Sequence, residues 1–164
     1  MKAIFIGRFQ PFHRGHLRVI KFISKKYKEI IIGIGSSQYI NTKENPFSAE
    51  ERKEMIVKSL IEADIKNFNI VLIPDIHNPP KWVEHVLSIN SEFDVVFTNN
   101  DFTKKLFSEK GFQVSQTPLF NEDVYSGKII RERINNNENW KDLVPNSVVE
   151  IIKKIDGEQR VKNL

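Results

Sequence analysis

The sequence predicts an α/β fold built on a parallel sheet, and three observations carry that expectation. Five short apolar runs of strand composition recur along the 164 residues, stretches of helical period lie between them, and after the fifth run the pattern changes to helices alone. Strands alternating with helices need crossover connections, which are right-handed and produce a parallel sheet. A chain of this length fits one domain, residues 1–164, and buries a sound core without staples.

The first run covers residues 3–6, A-I-F-I, and a helical face of Leu17, Ile20, Ile23 and Tyr27 follows it. The second run covers 30–34. Residues 36–47 read as a loop, and Ser48 with Glu51 forms a capping box opening a helix that carries Met55, Ile56 and Leu60. The third, fourth and fifth runs cover 70–73, 93–98 and 112–114, and Asp101 and Gly111 bracket a helix as its start and stop. In the tail, Ser126 is a candidate N-cap and Pro145 a first-turn residue ahead of Val148, Val149, Ile152 and Ile155. No linker, repeat or low-complexity tract divides the chain.

Composition excludes several classes. Hydrophobic residues at 40% and charged residues at 28% are ordinary for a soluble globular protein. The absence of cysteine rules out a disulfide framework and suits a reducing cytoplasm, the expected location. The apolar runs are too short to span a bilayer, and no signal peptide is visible, so no membrane partner is expected. A net charge of +4 raises the question of nucleic acid. Acidic and basic residues are interleaved rather than massed, as in Glu50-Glu51-Arg52-Lys53-Glu54, which points away from nucleic acid and suits an enzyme of phosphorylated substrates.

The densest chemistry lies at residues 7–16, G-R-F-Q-P-F-H-R-G-H, where the first strand hands over to the first helix. In an open parallel sheet, ligands bind beyond the carboxyl ends of the strands, and a helix starting there aims free N–H groups at any anion. His13 and His16 share one side of the turn, Gly7 and Gly15 allow close backbone approach, and Pro11 stiffens the loop. Two readings stand for the histidines: capping of backbone groups, or binding of a phosphate. The company of Arg8, Arg14 and two glycines favours phosphate. Zinc is not expected, since no cysteine exists and no third ligand stands nearby. Gly33-Ile34-Gly35 does not complete a dinucleotide fingerprint, because position 38 is Gln and no helix follows at once.

Residues 7–16 resemble the H-x-G-H signature of the nucleotidylyltransferase superfamily, and the longer form is similar to the archaeal-type nicotinamide-nucleotide adenylyltransferases. G-S-S-Q at 35–38, N-P-F-S-A-E-E-R at 45–52, W-V at 82–83 and Y-S-G-K-I-I-R at 125–131 extend the resemblance, in the family's order, over nearly the whole chain. It implies a Rossmann-like, doubly wound parallel sheet of five strands in the order 3-2-1-4-5 with C-terminal helices, and a crevice with the loops at His13 and Asn99 on opposite sides. It also implies transfer of AMP from ATP to nicotinamide mononucleotide, giving NAD and pyrophosphate by direct in-line attack without a covalent intermediate. The implied cofactor is Mg²⁺ or another divalent ion held through the ATP phosphates. The implied assembly is a homo-oligomer, of which a hexamer is one form.

On this resemblance His13, His16 and Arg131 are the catalytic residues, with His16 on the α-phosphate and His13 orienting that group or the leaving pyrophosphate. Gly7, Arg8, Phe9, Gly15, Ser126, Gly127 and Arg131 bind ATP. Residues 126–131 also read as an ordinary capped surface helix, and the family usually has threonine at Lys128. Trp82, Asn78, Ser37 and Asn99 form the nicotinamide-nucleotide end, Trp82 stacking on the pyridinium or simply packing. The family commonly has asparagine at Pro79 and an acidic residue at His77, so amide recognition passes to Asn78 or to backbone. Asn99 and Asn100 bind the nucleotide or form a turn, and His77 and His85 are read as structural. The alternatives are another acceptor, such as pantetheine phosphate, flavin mononucleotide or glycerol phosphate, and a non-catalytic nucleotide-binding module.

Overall fold

Residues 1–118 and 123–164 are described by the computed structural model. Within them β1 (Lys2–Gly7), β2 (Glu29–Gly35), β3 (Phe68–Ile73), β4 (Val95–Phe97) and β5 (Gln113–Ser115) form one sheet in the order β3-β2-β1-β4-β5. All pairings are parallel, with Ile4 opposite Ile31 on one side and Val96 on the other. The expected sheet order is the observed one.

Pleating sends alternate residues to opposite faces, and both faces are covered. Ala3, Phe5, Ile30, Ile32, Ile34 and Val95 pack under α1 (Arg14–Ser24), α2 (Ala49–Glu62), α5 (Gly127–Asn135), α6 (Asn146–Lys154) and α7 (Gly157–Lys162). Ile4, Ile31, Ile73 and Val96 pack under α3 (Trp82–Ile89) and α4 (Asp101–Glu109). Burial on both sides is why the central strands read as unbroken apolar runs. No helix among the described residues is long and apolar enough to cross a membrane.

Several element edges differ from the sequence expectation, each through a tertiary contact. β4 begins at Val95 rather than 93, because Phe93 leaves the sheet to pack 5.3 Å from Phe112 and 6.3 Å from Phe107. Phe112 stays in that aromatic group, so β5 starts at Gln113. Tyr27 lies beyond α1 and meets Phe97 edge-on at 5.5 Å. Pro145 precedes α6 as its cap, with ψ 151, instead of entering the first turn. The capping box on α2 is formed, Ser48 Oγ accepting the Glu51 N–H at 3.1 Å and Glu51 Oε2 accepting the Ser48 N–H at 2.8 Å.

Candidate active site

His13 is the N-cap of α1 in extended conformation, φ −136 and ψ 175, so its ring folds back over the first turn. His13 Nδ1 accepts the His16 N–H at 3.3 Å, and His16 Nδ1 accepts the His13 N–H at 3.2 Å. This is a capping box with imidazoles in both roles. The two rings stack at 3.5 Å, and the His16 ring is walled by Phe12 at 5.5 Å and by the edge of Phe9 at 4.7 Å.

The cap dictates the tautomer. A nitrogen that accepts an N–H carries no proton, so each neutral ring keeps its proton on Nε2. Burial holds His13 down at about 3, and burial, with His13 beside it, holds His16 well below the ordinary 6.5. Both rings are therefore neutral at pH 7, and each has a free Nε2–H. Capping and phosphate binding are compatible: the first uses Nδ1 and leaves Nε2 to a ligand.

A second helix N-terminus converges on the same place. Ser126 caps α5, its Oγ accepting the Ile129 N–H at 3.1 Å. Arg131 Nη1 donates to Gln10 O at 2.7 Å, and a Cβ on Gly127 would meet both that oxygen and Arg131 Nη1 at 2.9 Å. A Cβ on Gly15 would meet the His13 ring at 2.9 Å and Tyr125 Cβ at 3.0 Å. Only glycine permits these approaches. His13, Gly15, His16, Ser126, Gly127 and Asn99 all line one cavity of about 610 Å³. Arg131 is shifted downward by burial and by neighbouring Arg8, so two guanidinium groups lie close together beside two positive helix ends. Phe9, at φ 54, keeps its ring buried beneath His16 and behind Gly7, where it supports the imidazole.

Trp82 is the first residue of α3, after a 3₁₀ turn at Pro79–Lys81. It walls a slot of about 240 Å³ with Ile76, His77, Asn78 and Phe102, and a smaller cavity of about 150 Å³ with Ile6 and Thr98. Ile6 and Thr98 also line the histidine cavity. The three spaces thus adjoin across the carboxyl ends of β1 and β4, Trp82 and Asn78 at one end and Ser126 and Gly127 at the other.

Asn99 lies with the histidines. Its Oδ1 accepts the Thr117 N–H at 2.8 Å, and its Nδ2 donates to Thr117 Oγ1. Asn100 instead caps α4, accepting the Thr103 N–H at 2.9 Å, so the pair divides between cavity wall and turn. Ser37 is held by its backbone N–H to Ile73 O at 3.3 Å. Around it the loops after β2 and β3 are joined: Ser36 Oγ donates to Asp75 Oδ2 at 2.7 Å, and the Gln38 amide brackets the Asp75 backbone at 2.9 and 3.0 Å. His77 meets Tyr39 Oη at 2.7 Å, and His85 donates from Nε2 to Pro74 O at 2.8 Å.

Two contributors carry no role in the sequence reading. The Gln10 amide brackets the Phe47 backbone at 2.9 and 3.0 Å, fastening the 45–47 loop to the histidine loop. Arg52, read in the sequence among interleaved acidic and basic residues, is completely buried. The one signal for both is their place inside recognised motif segments.

The cytidylyltransferase-like family model matches residues 4–133. A nicotinamide-nucleotide adenylyltransferase of Methanococcus aeolicus is 48% identical over 164 residues, covering 100% of this chain and 95% of that protein. Its counterpart in Thermoplasma volcanium is 45% identical, covering 99% and 92%. Among solved structures, a bifunctional NMN adenylyltransferase/ADP ribose pyrophosphatase from Francisella tularensis, complexed with AMP and a manganese ion, matches with a TM-score of 0.82 at 25% identity, over 99% of this chain and 52% of that one. Likeness that covers 95% and 92% of the Methanococcus and Thermoplasma enzymes, on the sheet and motif order just described, makes this chain a member of the nicotinamide-nucleotide adenylyltransferase family.

Proposed function

We propose that the chain transfers AMP from ATP to nicotinamide mononucleotide, releasing NAD and pyrophosphate. The observation that carries the mechanism is the reciprocal histidine cap, which leaves two neutral Nε2–H donors in a cavity bounded by two helix N-termini. An oxygen of the mononucleotide phosphate attacks the α-phosphorus of ATP in line. The new P–O bond forms as the bond to the β-phosphate bridging oxygen breaks, and that oxygen leaves on pyrophosphate. The nucleophile is already an oxyanion, so no base is needed and no enzyme intermediate is required.

What the reaction demands is positioning and relief of charge in flight. His16 donates to the α-phosphate, most strongly as charge builds there, and His13 orients the same group or the departing pyrophosphate. The first-turn N–H groups of Gly127 and Lys128, which have no partner within a helix, face the distal phosphates with Arg8 and Arg131. Backbone donors do not depend on the side chain at position 128, so lysine in the place of threonine leaves them intact. Trp82 offers its ring face to the pyridinium and Asn78 its amide to the ring substituent.

Among the described residues no group of three or more His, Cys, Asp or Glu converges. A divalent ion would be held chiefly through the triphosphate's own oxygens and water, and bound there it would neutralise phosphate charge. The family likeness extends the proposal to a cytoplasmic homo-oligomer that binds neither nucleic acid nor membrane, with light scattering as the check on assembly.

The direct test is a panel of acceptors with ATP or CTP and Mg²⁺, scored by pyrophosphate release. Nicotinamide mononucleotide with ATP is expected to dominate. Faster release with pantetheine phosphate, flavin mononucleotide or glycerol phosphate would overturn the acceptor, and release with none would leave a binding module.

A further inference from the structure

Arg52 lies in α2 with no exposed surface, an unusual setting for a guanidinium with no carboxylate in hydrogen-bond contact. All of its partners are carbonyl oxygens. Nη1 donates to Arg8 O and Gly35 O, both at 2.9 Å, Nη2 to Ser36 O at 3.2 Å, and Nε to Ser48 O at 3.1 Å. These four oxygens belong to three separate segments: the residue just past β1, the end of β2 with its following residue, and the cap of α2.

Each anchored peptide leads to the site. Arg8 carries the side chain placed on the distal phosphates, and the next residue, Phe9, is held in the left-handed conformation at φ 54. Two residues on, Arg131 grips Gln10 O at 2.7 Å. The segment 8–10 is thus held by one guanidinium from the core and another from α5. On the other side, Ser36 is held in its left-handed conformation, φ 48, and its hydroxyl binds Asp75 on the wall of the Trp82 slot.

We infer that Arg52 is a positioning residue for the polyphosphate end, fixing the peptide that carries Arg8 and locking it to the β2 loop that leads to the acceptor end. The inference rests on the functional reading above. A planar fork of five donors reaches four oxygens on three segments; an ammonium, three donors at one point, does not. A role through geometry rather than charge alone follows, so lysine fails to replace arginine.

The test compares Arg52→Lys and Arg52→Met with Met55→Ala, a buried truncation on the same helix that removes none of these hydrogen bonds. Arg52→Lys is expected to raise KM for ATP about tenfold and lower kcat about tenfold or more, since small misplacements of a reacting group are costly. Met55→Ala should lower Tm at least as much while leaving both constants within about twofold. ATP binding measured directly by calorimetry should show the same weakening in the Arg52 variants. Wild-type constants in Arg52→Lys, losses matched by Met55→Ala, or failure of both Arg52 variants to fold would each make Arg52 a fold determinant only and overturn the inference. A wild-type enzyme inactive with ATP and nicotinamide mononucleotide would instead overturn the functional reading.

Discussion

At the histidine end of the crevice, positions are set by the backbone: two capped helix starts meet, and the missing side chains of Gly15 and Gly127 let loop and helix approach to distances that any Cβ would block. At the Trp82 end they are set by side chains reaching between loops, Ser36 and Gln38 to Asp75 and Tyr39 to His77, around an apolar slot partly open to solvent. At the backbone-built end a Cβ at Gly15 or Gly127 would clash, so the glycines there are required by the close approach. The other end is held by contacts between one side chain and another. On the proposed function, the chemistry falls at the backbone-built end and acceptor preference at the end held by side chains.

The strongest test of the rigid end is His16. His16→Ala should lower kcat by about a hundredfold or more with a smaller change in ATP affinity, because the lost donor acts mainly as charge develops. It should also cost about 1 kcal/mol of stability, because the His13 N–H loses its acceptor. His16→Asn separates the two effects: its carbonyl replaces Nδ1 in the cap, so Tm recovers while kcat does not. Recovery of turnover in His16→Asn would sink the Nε2 assignment.

Arg131→Ala comes next, with KM for ATP raised about tenfold to a hundredfold through loss of a charge-assisted contact. KM for the mononucleotide should move far less. The reverse pattern would mean that the two ends have been assigned backwards.

Trp82→Ala probes the softer end. Binding of nicotinamide mononucleotide should weaken about tenfold to a hundredfold and ATP affinity stay within about twofold. Ligand-dependent quenching should vanish with Trp82, since Trp140 is buried and bonded to Glu158 at 2.7 Å. Unchanged binding alongside a lowered Tm would mark Trp82 as packing.

The smallest effect is in pH. His13 titrates near 6.5 when unfolded and at about 3 when folded, so below 6.5 the unfolded chain takes up a proton that the native chain refuses. Stability contributed by the neutral cap is present above pH 6.5 and is lost as pH falls toward 3. Urea midpoints measured across that range should decline with acid. Followed by NMR in the free enzyme, the His13 and His16 rings should not titrate between about pH 6 and 8, and a ring titrating near 6.5 would contradict neutral donors.

The same contrast explains what the sequence made legible. Local devices, such as the Ser48–Glu51 box, the cap at Ser126 and the glycines flanking the histidines, are written in neighbouring residues and appear where expected. Features decided by distant partners are not: Phe93 leaves its strand for Phe112 and Phe107, and Tyr27 leaves its helix for Phe97. Arg52 is the clearest case. In the run E-E-R-K-E it is indistinguishable from a solvated charge, and only the convergence of three chain segments supplies the oxygens that draw it inside. Glu51 beside it pairs with Arg160 at 2.7 and 3.0 Å, again a partner that the local sequence does not announce.

The bond from Arg131 to Gln10 O closes a loop of 121 residues, and that separation has a consequence for synthesis. The loop at residues 7–16 is made well before α5, and the two meet only when α5 emerges. Until then the loop stands without its partner. Contacts so far apart in sequence also close slowly, so the two halves join late, after all five strands have been made.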